Sequence, residues 1–323
     1  MKTITKCVGF FLLIIPVYAL SADWAPIYWQ VRKSENGEQR REALLITGQL
    51  DGTKTPSFFQ LDTGAQDSFL FARSIVGNEN VLPFFAKRQS VPVPIEQYGY
   101  KNTTNYGVIL DGSIANDRFS KAPFLINTRL GSSTSPLLGV VGLSAFSNPV
   151  LAIDFVNYRI SIAPNTREIE SDLKTPVVYE DYTIIGGLPA LPVTTGKVSR
   201  GNFVVDTGSN SLGLTVFDPS MWREMTGRAL DDPNNVKVGG GNWNSDVSCI
   251  EAPSIDNIET GHFNLGRMAI AYCVEGGNSM ARPGITGVIG NASLFGRATL
   301  IFDQSNKRIG ISRFSAAQGG GDK

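Results

Sequence analysis

The chain alternates short apolar runs with polar punctuation. Runs such as Phe58-Phe59-Gln60-Leu61, Phe203-Val204-Val205 and Ile301-Phe302 are rich in β-branched and aromatic residues. Gly, Pro, Asn and Asp separate them. That is the pattern of short strands joined by tight turns, and it predicts an all-β protein. Helical periodicity is scarce; Pro219 to Met225 is the best candidate for a short helix. Asn157-Tyr158 and Ser305-Asn306 fall where hairpin turns belong between paired strands. Asn165 to Lys174 is polar and charged and reads as a linker, and Ile27 to Val31 reads as an early strand.

The pattern repeats. Ala43-Leu44-Leu45-Ile46-Thr47-Gly48 precedes Asp62-Thr63-Gly64, and Ala190-Leu191-Pro192-Val193-Thr194-Thr195-Gly196 precedes Asp206-Thr207-Gly208. Each reads as strand, turn, strand, ending in Asp-Thr-Gly. Downstream come Gly139-Val140-Val141-Gly142 and Gly287-Val288-Ile289-Gly290. Ile153-Asp154-Phe155 with Arg159-Ile160 then matches Ile301-Phe302-Asp303 with Arg308-Ile309. The landmarks keep their order at a nearly constant offset, which implies one unit used twice. A single Asp-Thr-Gly is most simply a turn, expected by chance in roughly one chain in twenty of this length. Two copies at matching places in a repeat call for another explanation.

Composition narrows the classes. The chain has 323 residues, 42% hydrophobic, with no formal net charge. That is ordinary globular material, and dispersed Lys and Arg leave no electrostatic footprint for nucleic acid. Lys2 and Lys6 precede an apolar stretch from Val8 to Val17, followed by Tyr18-Ala19-Leu20-Ser21-Ala22. This reads as a secretory signal over residues 1–22, cut after Ser21 or Ala22, too short for a membrane span. Cys7 leaves with it, and no lipid anchor is expected. Cys249 and Cys273 remain; in an exported chain such a pair predicts a disulfide, with two buried thiols as the alternative. The single histidine, His262, sits in a turn-like setting with no nucleophile beside it.

The two apolar-Asp-Thr-Gly motifs, each followed much later by apolar-apolar-Gly, resemble the pepsin-like, two-lobed aspartic proteases. The likeness covers nearly the whole mature chain. The compact end of the first half is similar to a retroviral-type protease subunit, so the chain resembles two retropepsin-like units fused. The resemblance implies an all-β, bilobal aspartic-protease fold of two pseudo-two-fold-related, β-barrel-like lobes. These would be residues 23–170 and 171–315, with a flexible tail at 316–323.

It implies that Asp62 and Asp206 are catalytic and share one proton across a water, since two adjacent carboxylates cannot both ionise cheaply. Thr63 and Thr207 would hydrogen-bond between the lobes. Gly64 and Gly208 would let backbone approach a carboxylate. Ala65 and Ser209 complete the two loops. No metal or cofactor is called for, and which aspartate holds the proton stays open. The Cys249–Cys273 pair also has a counterpart in many pepsins.

Three departures qualify the likeness. Ser209 offers a hydroxyl that Ala65 lacks, which predicts unequal aspartates and a mildly acidic to near-neutral optimum. Gln97 to Gly107 has the composition of a hairpin with a polar tip, in which Tyr98 or Tyr100 is either a flap residue over the substrate or purely structural. Only about twenty residues separate Ala22 from the first strand pair, so no inhibitory prosegment is expected.

The leading expectation is an exported endopeptidase, secreted or periplasmic, acting as a monomer on peptide or unfolded-protein substrates without a membrane anchor. The alternative is a non-catalytic protein of the same fold that binds peptides, inhibits or scaffolds. Asn102-Thr103-Thr104 and Asn291-Ala292-Ser293 are glycan acceptors only in a eukaryotic secretory pathway.

Overall fold

The protein is mostly β. The structure is a computed structural model and describes residues 21–33, 39–87, 91–95, 103–128, 130–241, 246–275 and 281–312. Most of the expected leader and the whole tail at 316–323 lie outside those residues, as do Tyr98 and Tyr100. Among the described residues no helix is long and apolar enough to cross a membrane.

Among the described residues three sheets form, of eight, ten and six strands. In the eight-stranded sheet, Gln39–Leu50 pairs with Ser57–Leu61, which runs parallel to Leu137–Val141. Ser68–Phe71 is antiparallel to that strand and parallel to Asp117–Asn127, beyond which lie Thr103–Ile114 and Val91–Ile95. The ten-stranded sheet repeats this order. Leu188–Thr195 pairs with Val198–Asp206, which runs parallel to Gly287–Gly290. Leu214–Val216 is antiparallel to that strand and parallel to Ala269–Glu275, followed by Asp246–Pro253 and Val236–Gly241. The sequence repeat is therefore a repeat of topology. The central strands are buried on both faces, which is why they read as continuous apolar runs rather than alternating ones. Leu137–Val141 and Gly287–Gly290 are buried throughout.

The six-stranded sheet joins the halves. Val150–Asp154 pairs with Thr299–Asp303, each the first strand of a hairpin. Both hairpins close on the same device. Asp154 accepts from Asn157 N and Nδ2 at 3.0 and 2.7 Å and from Arg159 Nε at 2.9 Å. Asp303 accepts from Asn306 N and Nδ2 at 3.2 and 2.8 Å and from Arg308 Nε at 2.7 Å. The two guanidiniums lie over Trp24 and Tyr179, 4.2 and 4.1 Å from the ring centroids, a cation–π arrangement.

The chain just after the expected cut is part of this sheet. Ala25–Pro26 pairs with Arg159–Ala163, Ala22 is buried, and Trp24 Nε1 donates to Asp172 at 2.9 Å. Tyr28–Lys33 then pairs with Gln39–Leu50.

One expectation needs correcting. The polar stretch read as a linker contains a helix, Thr166–Asp172. Asn165 caps it: its Oδ1 accepts from Glu168 N while its Nδ2 donates to the Glu168 carboxylate. The first bond satisfies one end N–H that a short helix cannot bond internally, and the second holds the capping side chain in place. Only Ile169 is buried in it, too little apolar content to register as a helical stripe. The candidate helix near Pro219 is present as Pro219–Thr226, capped by Asp218 and ended by Gly227 at φ 68°. Cys249 and Cys273 face each other on adjacent strands and form a disulfide.

Candidate active site

The two Asp-Thr-Gly segments leave the ends of equivalent strands. Asp62 follows Ser57–Leu61 and Asp206 ends Val198–Asp206; each strand runs parallel to the Gly-containing strand of its own half. The loops that follow meet across the two halves. Thr63 N donates to Thr207 Oγ1 at 2.9 Å, and Thr207 N donates to Thr63 Oγ1 at 3.0 Å. Each hydroxyl passes its own proton back across: Thr63 Oγ1 to Val205 O at 2.7 Å, Thr207 Oγ1 to Leu61 O at 3.1 Å. Both threonines are fully buried, so all four bonds form away from water, where leaving any one unmade is costly.

This grip brings the carboxyl groups together. Asp62 and Asp206 are 6% and 7% exposed and hydrogen-bond to one another. The glycines allow it. A Cβ on Gly64 would stand 2.5 Å from Asp206 Cγ, and one on Gly208 would stand 2.6 Å from Asp62 Cγ. Each glycine thus lies against the carboxylate of the opposite half, where any side chain would collide.

Burial pushes the Asp206 carboxyl above the usual carboxylate range, even though the Asp62 carboxyl and the nearby backbone N–H groups of Gly208, Gly64 and Ser209 pull it down. Gly208 N is 2.7 Å from Asp206 Oδ1. A buried, hydrogen-bonded pair of carboxyls titrates as a unit and holds one proton over a wide range.

The expected hydroxyl contact from Ser209 to Asp206 is not made. Residue 209 reaches Asp206 through its backbone N–H, and Ser209 Oγ lies beside Gly290, 2.9 Å from where a Cβ would be. The space over the Gly290 Cα is what the hydroxyl fills. Ala65 and Ser209 therefore do not create the inequality assigned to them from sequence.

The real asymmetry involves residues the sequence reading passed over. Asn291, buried to 2%, donates from Nδ2 to Thr207 O at 2.8 Å and to Asn210 Oδ1 at 2.7 Å. Asn210, equally buried, donates to Gly208 O at 3.0 Å and to Glu42 O in the other half at 3.1 Å. Gln60 Nε2 makes a long contact of 3.5 Å to the same Gly208 oxygen. In the first half the positions of Asn291 and Asn210 hold Leu143 and Gln66. Setting the two repeats side by side exposes this Leu-to-Asn difference, the one signal that could have found it. It also removes Asn291 as a glycan acceptor, since its amide is buried and engaged.

The remaining candidates are placed as follows. Val91–Ile95 pairs antiparallel with the start of Thr103–Ile114; most of the segment expected as a flap, Gln97 to Gly107, with Tyr98 and Tyr100, lies outside the described residues. His262 is 82% exposed and contacts Glu180, away from the carboxyl pair. No protein-family model and no curated protein matches the sequence.

Proposed function

We propose that this protein is an exported aspartic endopeptidase with a two-lobed, pepsin-like fold assembled from two retropepsin-like halves. The observation that carries this reading is the Asp62–Asp206 carboxyl pair, hydrogen-bonded together and supplied by topologically equivalent loops. Few roles other than acid–base chemistry reward burying two carboxyls against each other.

In the proposed reaction the ionised carboxylate takes a proton from a water held between the aspartates. The protonated partner donates to the peptide carbonyl oxygen, giving a tetrahedral diol. Collapse of the diol, with protonation of the leaving nitrogen, breaks the C–N bond and restores the shared proton. The hairpin Val91–Ile95 and Thr103–Ile114 is the element suited to cover an extended peptide. One chain supplies both carboxyls, so the monomer is sufficient. The apolar leader and the Cys249–Cys273 disulfide support an oxidising destination, secreted or periplasmic.

The test is to incubate the mature protein with an unfolded protein from about pH 3 to about pH 8 and sequence the products. New amino termini made by the wild type, and not by Asp62→Asn or Asp206→Asn, support the proposal. Intact substrate at every pH, with peptides still bound, would replace it with a binding protein of the same fold.

A further inference from the structure

Thr207 C=O and Gly208 N–H belong to one peptide group, and Gly208 C=O and Ser209 N–H to the next. Gly208 N–H is directed at the Asp206 carboxyl and Ser209 N–H at the Asp206 backbone carbonyl, 3.2 Å away, and the Thr207 and Gly208 carbonyls each accept from a buried side-chain amide. Because a peptide group is planar, holding its oxygen fixes the direction of its N–H. A hydrogen bond at the oxygen also polarises the group and strengthens the N–H as a donor. The amide orientations are fixed as well: each Asn nitrogen faces two oxygens, so a flip would set oxygen against oxygen. The backbone closes the same loop, with Asn291 N donating to Ser209 O at 2.8 Å.

The first half is built differently. Leu143 has no donor to offer Thr63 O. The Gln66 side chain lies against Gly187, where a Cβ would stand 2.5 Å from Gln66 Oε1. Among the described residues, no side-chain amide reaches the Thr63 or Gly64 carbonyl.

We propose that Asn291 and Asn210 are positioning residues for Asp206: Asn291 fixes and polarises the peptide group whose N–H donates to its carboxylate, and Asn210 holds both Asn291 and the next peptide group, whose N–H donates to the Asp206 backbone carbonyl, so the ionised oxygen of the pair resides on Asp206 and the shared proton on Asp62. This rests on the dyad reading above. It makes Asp206 the group that accepts the proton of the attacking water, and Asp62 the acid that donates to the carbonyl oxygen. The titratable group facing Asp206 is Asp62. The other ionisable side chains on the elements packed against its loop are Asp67 on the first loop and Arg40, Arg41 and Glu42 on Gln39–Leu50. Gly287–Gly290 and Asn291–Ser293 carry none.

The decisive experiment reads each carboxyl separately, without relying on activity. Aspartate-labelled protein is titrated by carbon NMR in the Asp62→Asn and Asp206→Asn backgrounds, with and without Asn291→Leu, the residue of the first half. In the Asp62→Asn background, Asn291→Leu is expected to raise the proton affinity of Asp206 about tenfold, the worth of weakening a charge-assisted hydrogen bond. In the Asp206→Asn background the titration of Asp62 stays where it was. An unchanged Asp206, or equal shifts of both groups, overturns the proposal. If Asn291→Leu does not fold, Asn210→Ala in the same backgrounds decides it by the same criterion. In the active protein, either change moves the acid limb of the pH–rate profile to higher pH. If the wild type cleaves nothing, the protease reading fails while the titrations still decide the proton's place.

Discussion

Gly208 lies against the Asp62 carboxyl so closely that a methyl group on its Cα would stand 2.6 Å from Asp62 Cγ, and Gly64 is related to Asp206 in the same way. Alanine has no side-chain torsion with which to avoid this, so the facing carboxyl must turn away. Gly208→Ala and Gly64→Ala are expected to push the carboxyls apart and lower cleavage by about a hundredfold. The stability cost is about 1–3 kcal/mol for an overpacked buried site. The check is kcat measured beside a denaturation curve. Near-wild-type turnover in either variant contradicts the described contact.

The four-bond threonine grip should be indispensable to the join between the halves. Thr207→Val keeps the shape but loses the acceptor for Thr63 N and the donor to Leu61 O. Two buried groups are then left unmatched, an expected loss of about 2–5 kcal/mol. Thr207→Ser restores both bonds and most of that stability. Equal losses for valine and serine would show that packing, not hydrogen bonding, holds the loops.

Acid should loosen the sheet that joins the halves. Burial alone would raise Asp154 and Asp303, but hydrogen bonds from Asn157 with Arg159, and from Asn306 with Arg308, hold both below the usual carboxylate range. Each side chain is only 2% exposed. A lowered folded-state value means the contribution is complete above the unfolded value of about 3.9 and is lost as pH falls through the folded value. Stability is therefore expected to drop below about pH 4, and Asp154→Asn with Asp303→Asn should flatten that slope while lowering stability at neutral pH. An unchanged slope in the double variant contradicts this.

Much of the fold is legible in the sequence because it is written twice. One run of apolar residues ending in Asp-Thr-Gly is ambiguous; two, each with a matching Gly-x-x-Gly run downstream, specify the pairing of Ser57–Leu61 with Leu137–Val141 and of Val198–Asp206 with Gly287–Gly290. The hairpin turns after Asp154 and Asp303 are legible for the same reason. The helix Thr166–Asp172 is not, since one buried residue, Ile169, makes no period. At the site, sequence identifies the residues that meet, yet it misassigns the inequality between the aspartates. A serine beside a catalytic motif suggests a hydroxyl contact; only coordinates reveal Ser209 Oγ turned toward Gly290, and two asparagines 81 positions apart joined behind Asp206.

That difference separates two substitutions. Ala65→Ser copies the second loop into the first, but the second loop does not use its hydroxyl on the carboxyl. The pH optimum is expected to stay mildly acidic to near neutral in this variant, whereas Asn291→Leu moves the acid limb upward. A wild-type rate peaking below about pH 3, or an optimum that follows residue 65 and ignores residue 291, contradicts this assignment.

The core of the second half carries a removable defect. Thr260 is 1% exposed and its Oγ1 has no hydrogen-bond partner, beside a small apolar void lined by Leu191, Leu265 and Ile289. Thr260→Val keeps the shape and removes the buried hydroxyl, an expected gain of about 1 kcal/mol, read as a higher midpoint in urea with an unchanged slope. A loss of stability would mean that the hydroxyl is satisfied by water.

The most direct measurement is the turnover of one peptide by the wild type, Asp62→Asn, Asp206→Asn and the double variant, all confirmed folded by near-ultraviolet circular dichroism. If the two carboxyls act as one dyad, each single change abolishes turnover and the double variant is no worse than either, because residues that work as a unit are not additive. Substantial turnover in either single variant, or losses that multiply in the double, would contradict a shared catalytic centre.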